Sequence, residues 1–119
     1  IHAKTNPPDM QLCIPDIKGF RVVQLGDIVF CEAENTYTCI YFRDGSKIVA
    51  SRPLMDYETL LQDSLFFRIH KSTLINMKHI KEYQKGEGGF VVMSNGKTLE
   101  VSRRKKEAFI HKMKDSFKF

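Results

Sequence analysis

A chain of 119 residues fits one domain, since domains most often run to roughly 100–150 residues. Its 42% hydrophobic content, with nine Phe and four Tyr, suits a packed core and excludes the low-hydrophobicity signature of disorder, and no apolar run approaches the roughly 18 residues a membrane span needs. The net charge of +5 is unevenly divided: residues 1–67 carry six Lys/Arg against nine Asp/Glu, and residues 68–119 carry thirteen against five, which points to a polyanion-facing surface in the second half, with the placement of the charges left to decide it.

In chain order, residues 1–9 form a polar stretch with a Pro-Pro pair that reads as an interdomain linker, with the domain over 10–119. Lacking an initiator Met, the chain is expected to be the C-terminal piece of something longer. Met10 to Ile14 and Gly19 to Leu25 are short apolar runs broken by Pro15, Asp16 and Gly19. Ile28 to Ala33 and Thr36 to Phe42 are rich in β-branched and aromatic residues and predict strands. Asp44-Gly45 predicts a hairpin turn into Lys47 to Ala50, and Asn95-Gly96 predicts a type I′ turn between Phe90 to Met93 and Lys97 to Val101. Pro53 suits a first helical position, with Leu54, Tyr57, Leu60 and Leu61 following at helical spacing. A second helix is expected after Val101, with Ser102 as N-cap and Phe109, Ile110, Met113 and Phe117 as its apolar stripe. The expected fold is mainly β, with one short central helix and a C-terminal helix.

The chemistry-bearing residues give little to an enzyme. His2, His70, His79 and His111 lack metal-ligand spacing, and no acidic or cysteine cluster accompanies them, so neither metal nor cofactor is expected. Cys13, Cys31 and Cys39 are odd in number without a C-x-x-C pair and read as small buried hydrophobes in a reducing cytosol. Gly86 to Gly89 lacks the Gly-Lys-Ser/Thr of a phosphate loop and reads as a flexible hairpin loop.

Three polar segments remain. Arg103, Arg104, Lys105 and Lys106 are consecutive cations placed by the pattern in a first helical turn. There the macrodipole opposes each of them by a few tenths of a kcal/mol to about 1 kcal/mol, a penalty that a bound phosphate would offset. Phe66 to Asn76 alternates core residues with the donors Arg68, His70, Lys71, Ser72 and Asn76. Glu34-Asn35-Thr36-Tyr37 is a polar tip between two apolar strands. Taken singly, the last two are equally consistent with a half-buried strand and an ordinary turn.

Together, Asp27 to Thr38, Phe67 to Asn76 and Val101 to Lys106, in that order and spacing, resemble the LytTR family of response-regulator DNA-binding domains. The likeness runs from about Met10 onward. It implies small antiparallel sheets side by side, with loops and strand ends entering successive major grooves of double-stranded DNA from one face. By position, the contacts would come from Glu34, Asn35, Thr36, Tyr37 and Thr38, then from His70, Lys71 and Ser72 supported by Arg68 and Asn76, then from Arg103 and its basic neighbours. Chemistry ranks Arg103 first for a guanine edge, with Lys71 and Asn35 next. Arg104, Lys105, Lys106, Lys78 and Ser72 suit phosphates. The family implies a cytoplasmic transcriptional regulator with an N-terminal receiver domain, a sensor kinase upstream and a homodimer on DNA. The alternatives are a protein-interaction module with a basic surface and a single-strand binder, for which Tyr37 and Tyr83 are the available stacking platforms.

Overall fold

The computed structural model describes residues 10–119, so the linker expected at 1–9 lies outside the described residues. Strands β1 (Gln11–Asp16) and β2 (Gly19–Gln24) form a separate hairpin. Strands β3 (Ile28–Glu34), β4 (Tyr37–Phe42), β5 (Lys47–Ala50), β6 (Phe66–His70) and β7 (Thr73–Asn76) make a five-stranded sheet of order β5-β4-β3-β7-β6, with helix α1 (Leu54–Leu60) between β5 and β6. Strands β8 (Ile80–Gln84), β9 (Phe90–Met93) and β10 (Thr98–Glu100) make a third sheet, and helix α2 (Lys106–Ser116) closes the domain. All strand pairs are antiparallel. The expected side-by-side antiparallel sheets with two helices are present.

The five-stranded sheet has a core on each face. On one face Leu12 and Ile14 of β1 and Leu54, Tyr57 and Leu61 at α1 pack over Cys31, Ile40 and Leu74. On the other face Val91, Met93 and Leu99 of the third sheet and Phe109 of α2 pack over Val29, Phe30, Ile69 and Ile75. A strand buried on both faces needs apolar residues at consecutive positions, which accounts for the run Ile28 to Cys31. Strict alternation also breaks there, because the register shifts between Ile28 and Phe30, and Val29 and Phe30 both join the second core.

Several local expectations are corrected. Cys31 and Cys39 are buried, but Cys13 lies on the exposed face of β1, where alternate side chains point outward. Pro53 is the residue before α1, extended at φ −72° and ψ 157° rather than helical. Leu60 faces outward at 53% exposure, while Leu54, Tyr57 and Leu61 carry the buried stripe. The Asn95-Gly96 turn is not type I′, since Gly96 has φ 88° but Asn95 is not among the positive-φ residues. Gly96 N–H donates to Met93 O at 2.8 Å and Met93 N–H to Lys97 O at 2.8 Å, a three-residue loop closed by a left-handed glycine. Phe42 to Ser46 repeats this pattern with Gly45 at φ 90°. Strand β8, Ile-Lys-Glu-Tyr-Gln, is an element the sequence reading passed over; Lys81, Glu82 and Gln84 are exposed and leave almost no apolar signal. Helix α2 begins at Lys106, because Arg103–Lys105 form a 3-10 turn. Ser102 makes no side-chain cap; its carbonyl accepts the Lys105 N–H at 3.0 Å.

Gly88 and Gly89 are buried rather than part of a flexible tip. A Cβ on Gly88 would lie 1.9 Å from the Val101 carbonyl oxygen, and one on Gly89 would lie 2.3 Å from the Tyr83 hydroxyl. The glycines let the β8–β9 connection press against Val101–Arg103, and Val101 N–H donates to Gly89 O at 2.9 Å.

Candidate nucleic-acid interface

Strand pairing brings the three polar segments to one end of the molecule. Strands β3 and β4 pair through Glu34 and Tyr37, so Asn35 and Thr36 form the tip of that hairpin. Strands β3 and β7 pair through Glu32 and Thr73, and Ala33 N–H donates to Ser72 O at 2.8 Å. The β6–β7 tip at Lys71 and Ser72 therefore lies beside the β3–β4 tip. Ser102 N–H then donates to Ile69 O at 2.9 Å, tying the basic turn Arg103–Lys105 to the end of β6. His70, Lys71, Ser102, Arg104 and Lys105 line one cleft with Glu58 and Arg68. Segments about 35 and 30 residues apart in sequence thus share one surface.

In the first segment Glu34, Asn35, Thr36 and Tyr37 are exposed. Asn35 has φ 58°, the left-handed region that Asn tolerates better than most residues, so its identity also serves the turn. Thr38 belongs to the protein interior. It is fully buried and its hydroxyl donates to Arg52 O at 2.7 Å, which removes it from the set able to reach DNA. Tyr37 is 51% exposed and remains a surface aromatic.

In the second segment Lys71 is exposed and His70 and Ser72 are half-buried. Ser72 N–H donates to His70 Nδ1 at 3.2 Å, and the Ser72 hydroxyl lies 3.0 Å from the same nitrogen. An Nδ1 that accepts from a backbone amide puts the ring proton on Nε2, so the neutral ring offers a donor. Arg68 and Asn76 are turned to partners within the protein. The Arg68 side chain is 17% exposed and is spent on Glu58 and two backbone carbonyls. Asn76 is fully buried, with Nδ2 donating to Ile28 O at 2.9 Å and Oδ1 accepting from Lys78 N–H at 3.1 Å. Lys78 is exposed but lies past the other end of β7, where Met77 N–H donates to Leu65 O. It is therefore separated from the other candidates by the length of the strand.

In the third segment Arg103 and Arg104 are exposed, and Lys105 and Lys106 are half-buried. Three of these four cations precede the helix instead of occupying its first turn. The macrodipole penalty on them is correspondingly smaller, and the case for the run rests on its neighbours instead. Arg52 is a residue the sequence reading missed. It follows β5 at the same end, 3.5 Å from Asp56 and with its guanidinium 5.7 Å from the Tyr57 ring centre. The pairing of Thr38 with Ala50 puts it there, which no local pattern reveals. Tyr83, the second stacking candidate, is half-buried, donates to Gly88 O at 2.7 Å and packs on Phe109 at 5.7 Å.

No group of three or more His, Cys, Asp or Glu is placed to hold a metal among the described residues, and no described helix is long and apolar enough to cross a membrane.

The comparisons with known proteins bear on the fold and the family. The transcriptional regulatory protein LytR of Staphylococcus aureus strain N315 is 41% identical over 97 residues, covering 80% of this chain and 39% of the relative. The LytR proteins of strains COL and MW2 match to the same extent. The chain thus spans about two fifths of the length of the curated relatives it matches. A solved LytTr DNA-binding domain from a Bacillus cereus response regulator superposes with a TM-score of 0.75 at 22% identity, covering 87% of this chain and 95% of that one. Residues 18–114 match the LytTr DNA-binding domain family, and the chain belongs to that family.

Proposed function

We propose that the domain binds double-stranded DNA in a sequence-specific way, through the tips of the β3–β4 and β6–β7 hairpins and the basic turn before α2, as the output domain of a transcriptional response regulator. The observation that carries this is the gathering of Asn35, Lys71 and Arg103, each exposed, at one end of the molecule. Arg103 suits a guanine edge, because a planar fork matches O6 and N7, and Lys71 and Asn35 suit further base edges. Arg104, Lys105, Lys106 and Ser72 suit phosphates, which fix register without reading sequence. Glu34, Thr36, Tyr37 and His70 lie close enough to contribute, while Thr38, Arg68, Asn76 and Lys78 are left out for the reasons above. A single-strand reading has less support, since Tyr83 is half-buried, bonded to Gly88 O and packed on Phe109, which leaves Tyr37 without that partner platform.

The family reading extends to a receiver domain, an upstream sensor kinase, dimerisation on the site and a cytoplasmic setting. Enrichment of bound duplexes from a random pool tests the central part. A preferred sequence is expected, with affinity falling by a log–log salt slope of roughly −0.9 per phosphate neutralised. Arg103→Ala should weaken the preferred duplex by about 1–3 kcal/mol and relax preference at one position. Lys106→Ala should weaken all duplexes alike and reduce the salt slope by about one. Salt-insensitive binding, or equal behaviour of the two variants on preferred and scrambled DNA, contradicts the assignment.

A further inference from the structure

Arg68 sits behind the β6–β7 tip with each of its three guanidinium nitrogens in one hydrogen bond. Its Nε donates to His70 O at 3.1 Å, one terminal nitrogen donates to Lys71 O, and the other meets Glu58 Oε1 of α1 at 2.7 Å. The register of β6 against β7 shifts between Arg68 and His70, so Ile69 is an extra residue in the strand. That bulge frees Ile69 O from the ladder to accept the Ser102 N–H. Three successive carbonyls, of Ile69, His70 and Lys71, thus accept from groups outside the β6–β7 ladder, although His70 still pairs with Thr73. One holds the basic turn and two are held by a single side chain.

We infer that Arg68 is a positioning residue for DNA reading. Together with Glu58 it fixes the backbone that presents His70 and Lys71, and it contributes without itself touching the duplex. The inference rests on the DNA-binding role proposed above. Lys71 lies outside the β6–β7 register, which ends at His70 and Thr73, so without the clamp it would sample several directions. A reading side chain must be held by supporting bonds to present one geometry to a base edge. Only the planar fork of Arg spans two carbonyls and a carboxylate at once; the point charge of Lys does not. The guanidinium also offsets groups that would repel phosphate, namely two carbonyl oxygens and the Glu58 carboxylate, beside the cleft that Glu58, His70 and Lys71 line with Arg104 and Lys105. Glu58 therefore acts opposite to its charge. A carboxylate beside a DNA surface ordinarily weakens binding, yet here it holds the clamp in place.

That sign makes the idea testable on the intact domain, using the duplex enriched by the wild-type protein and a scrambled duplex of equal length. Arg68→Lys keeps the charge and loses the fork. It is expected to weaken the enriched duplex by roughly tenfold or more, the scale of losing hydrogen bonds from a charged donor, and to leave the scrambled duplex within about twofold. Glu58→Ala should also weaken the enriched duplex, although it removes a negative charge, and should leave the scrambled duplex unchanged or slightly tighter. Retained scrambled binding shows that each variant is folded. A second enrichment with Arg68→Lys should lose preference at the bases read by the β6–β7 tip and keep those read by Arg103. The clamp is overturned if Glu58→Ala tightens or leaves unchanged the enriched duplex, or if Arg68→Lys weakens both duplexes equally, which marks a direct phosphate contact. A wild-type domain that enriches no duplex sinks the DNA-binding reading and this inference with it, whereas wild-type enrichment with unaffected variants sinks the clamp alone.

Discussion

Tyr57 is fully buried in the first core, and its hydroxyl finds no hydrogen-bond partner among the described residues. A buried hydroxyl left unpaired costs about 1–3 kcal/mol, while the ring keeps its core contacts and the Arg52 guanidinium above it. Tyr57→Phe is therefore expected to raise stability to urea by about 1 kcal/mol; a loss of similar size would show that the hydroxyl has a partner such as an ordered water. Burial also pushes the Tyr57 phenol from its usual 10 up to about 12, and the Cys31 thiol from 9 up to about 12. Both acids stay protonated in the folded chain at pH values where the unfolded chain ionises. Stability is thus unaffected by them below pH 9 and falls as pH rises from there toward 12. The urea midpoint of Tyr57→Phe should decline less over that window than the wild-type midpoint. Among the polar site residues, the sequence could not separate surface from interior. Thr38 and Asn76 look like surface donors until their partners appear, and those partners, Arg52 O and Ile28 O, lie 14 and 48 residues away. The Arg68 clamp was equally hidden, because Glu58 belongs to another element.

At the scale of elements, the connection between β8 and β9 and the basic turn are built as one piece. Gly88 lies under Val101–Arg103 so closely that a methyl group would overlap the Val101 carbonyl. Gly88→Ala must push that segment outward, at a cost of about 1–3 kcal/mol for overpacking. A lower melting temperature and weaker binding to the enriched duplex are expected together, since the same shift displaces Arg103. Unchanged melting would mean that the contact is looser than the geometry indicates. Elements were legible where burial writes a pattern. The apolar runs of β3 and β4 and the stripe of Leu54, Tyr57 and Leu61 gave their type correctly. Strand β8 was not, because an exposed strand on a small sheet needs few apolar residues. The Asn-Gly pair located its hairpin but not its turn type. The extra loop residue, which makes Gly96 the left-handed position, depends on where the strands pair.

At the scale of the molecule, the charge asymmetry between the chain's halves becomes spatial only through the sheet order. Pairing of β3 with β7 brings the neutral-to-acidic first half and the basic second half to a common end. The charge division pointed to a polyanion, but only the pairing shows which cations meet; Lys78, a cation of the same kind as Lys71, is left on the far side. The molecule measures 41 × 35 × 25 Å, and one helical turn of DNA is about 34 Å. One copy therefore reaches little beyond two successive major grooves, and a longer footprint implies two copies. The central claim is that the clustered tips read the major groove from one face of the duplex. Methylation protection of guanine N7, which lies in the major groove, tests it most directly on the enriched site. The expected result is protection in two clusters about one helical turn apart on one face, with Arg103→Ala erasing one cluster. Binding that leaves every guanine N7 open to methylation would contradict it.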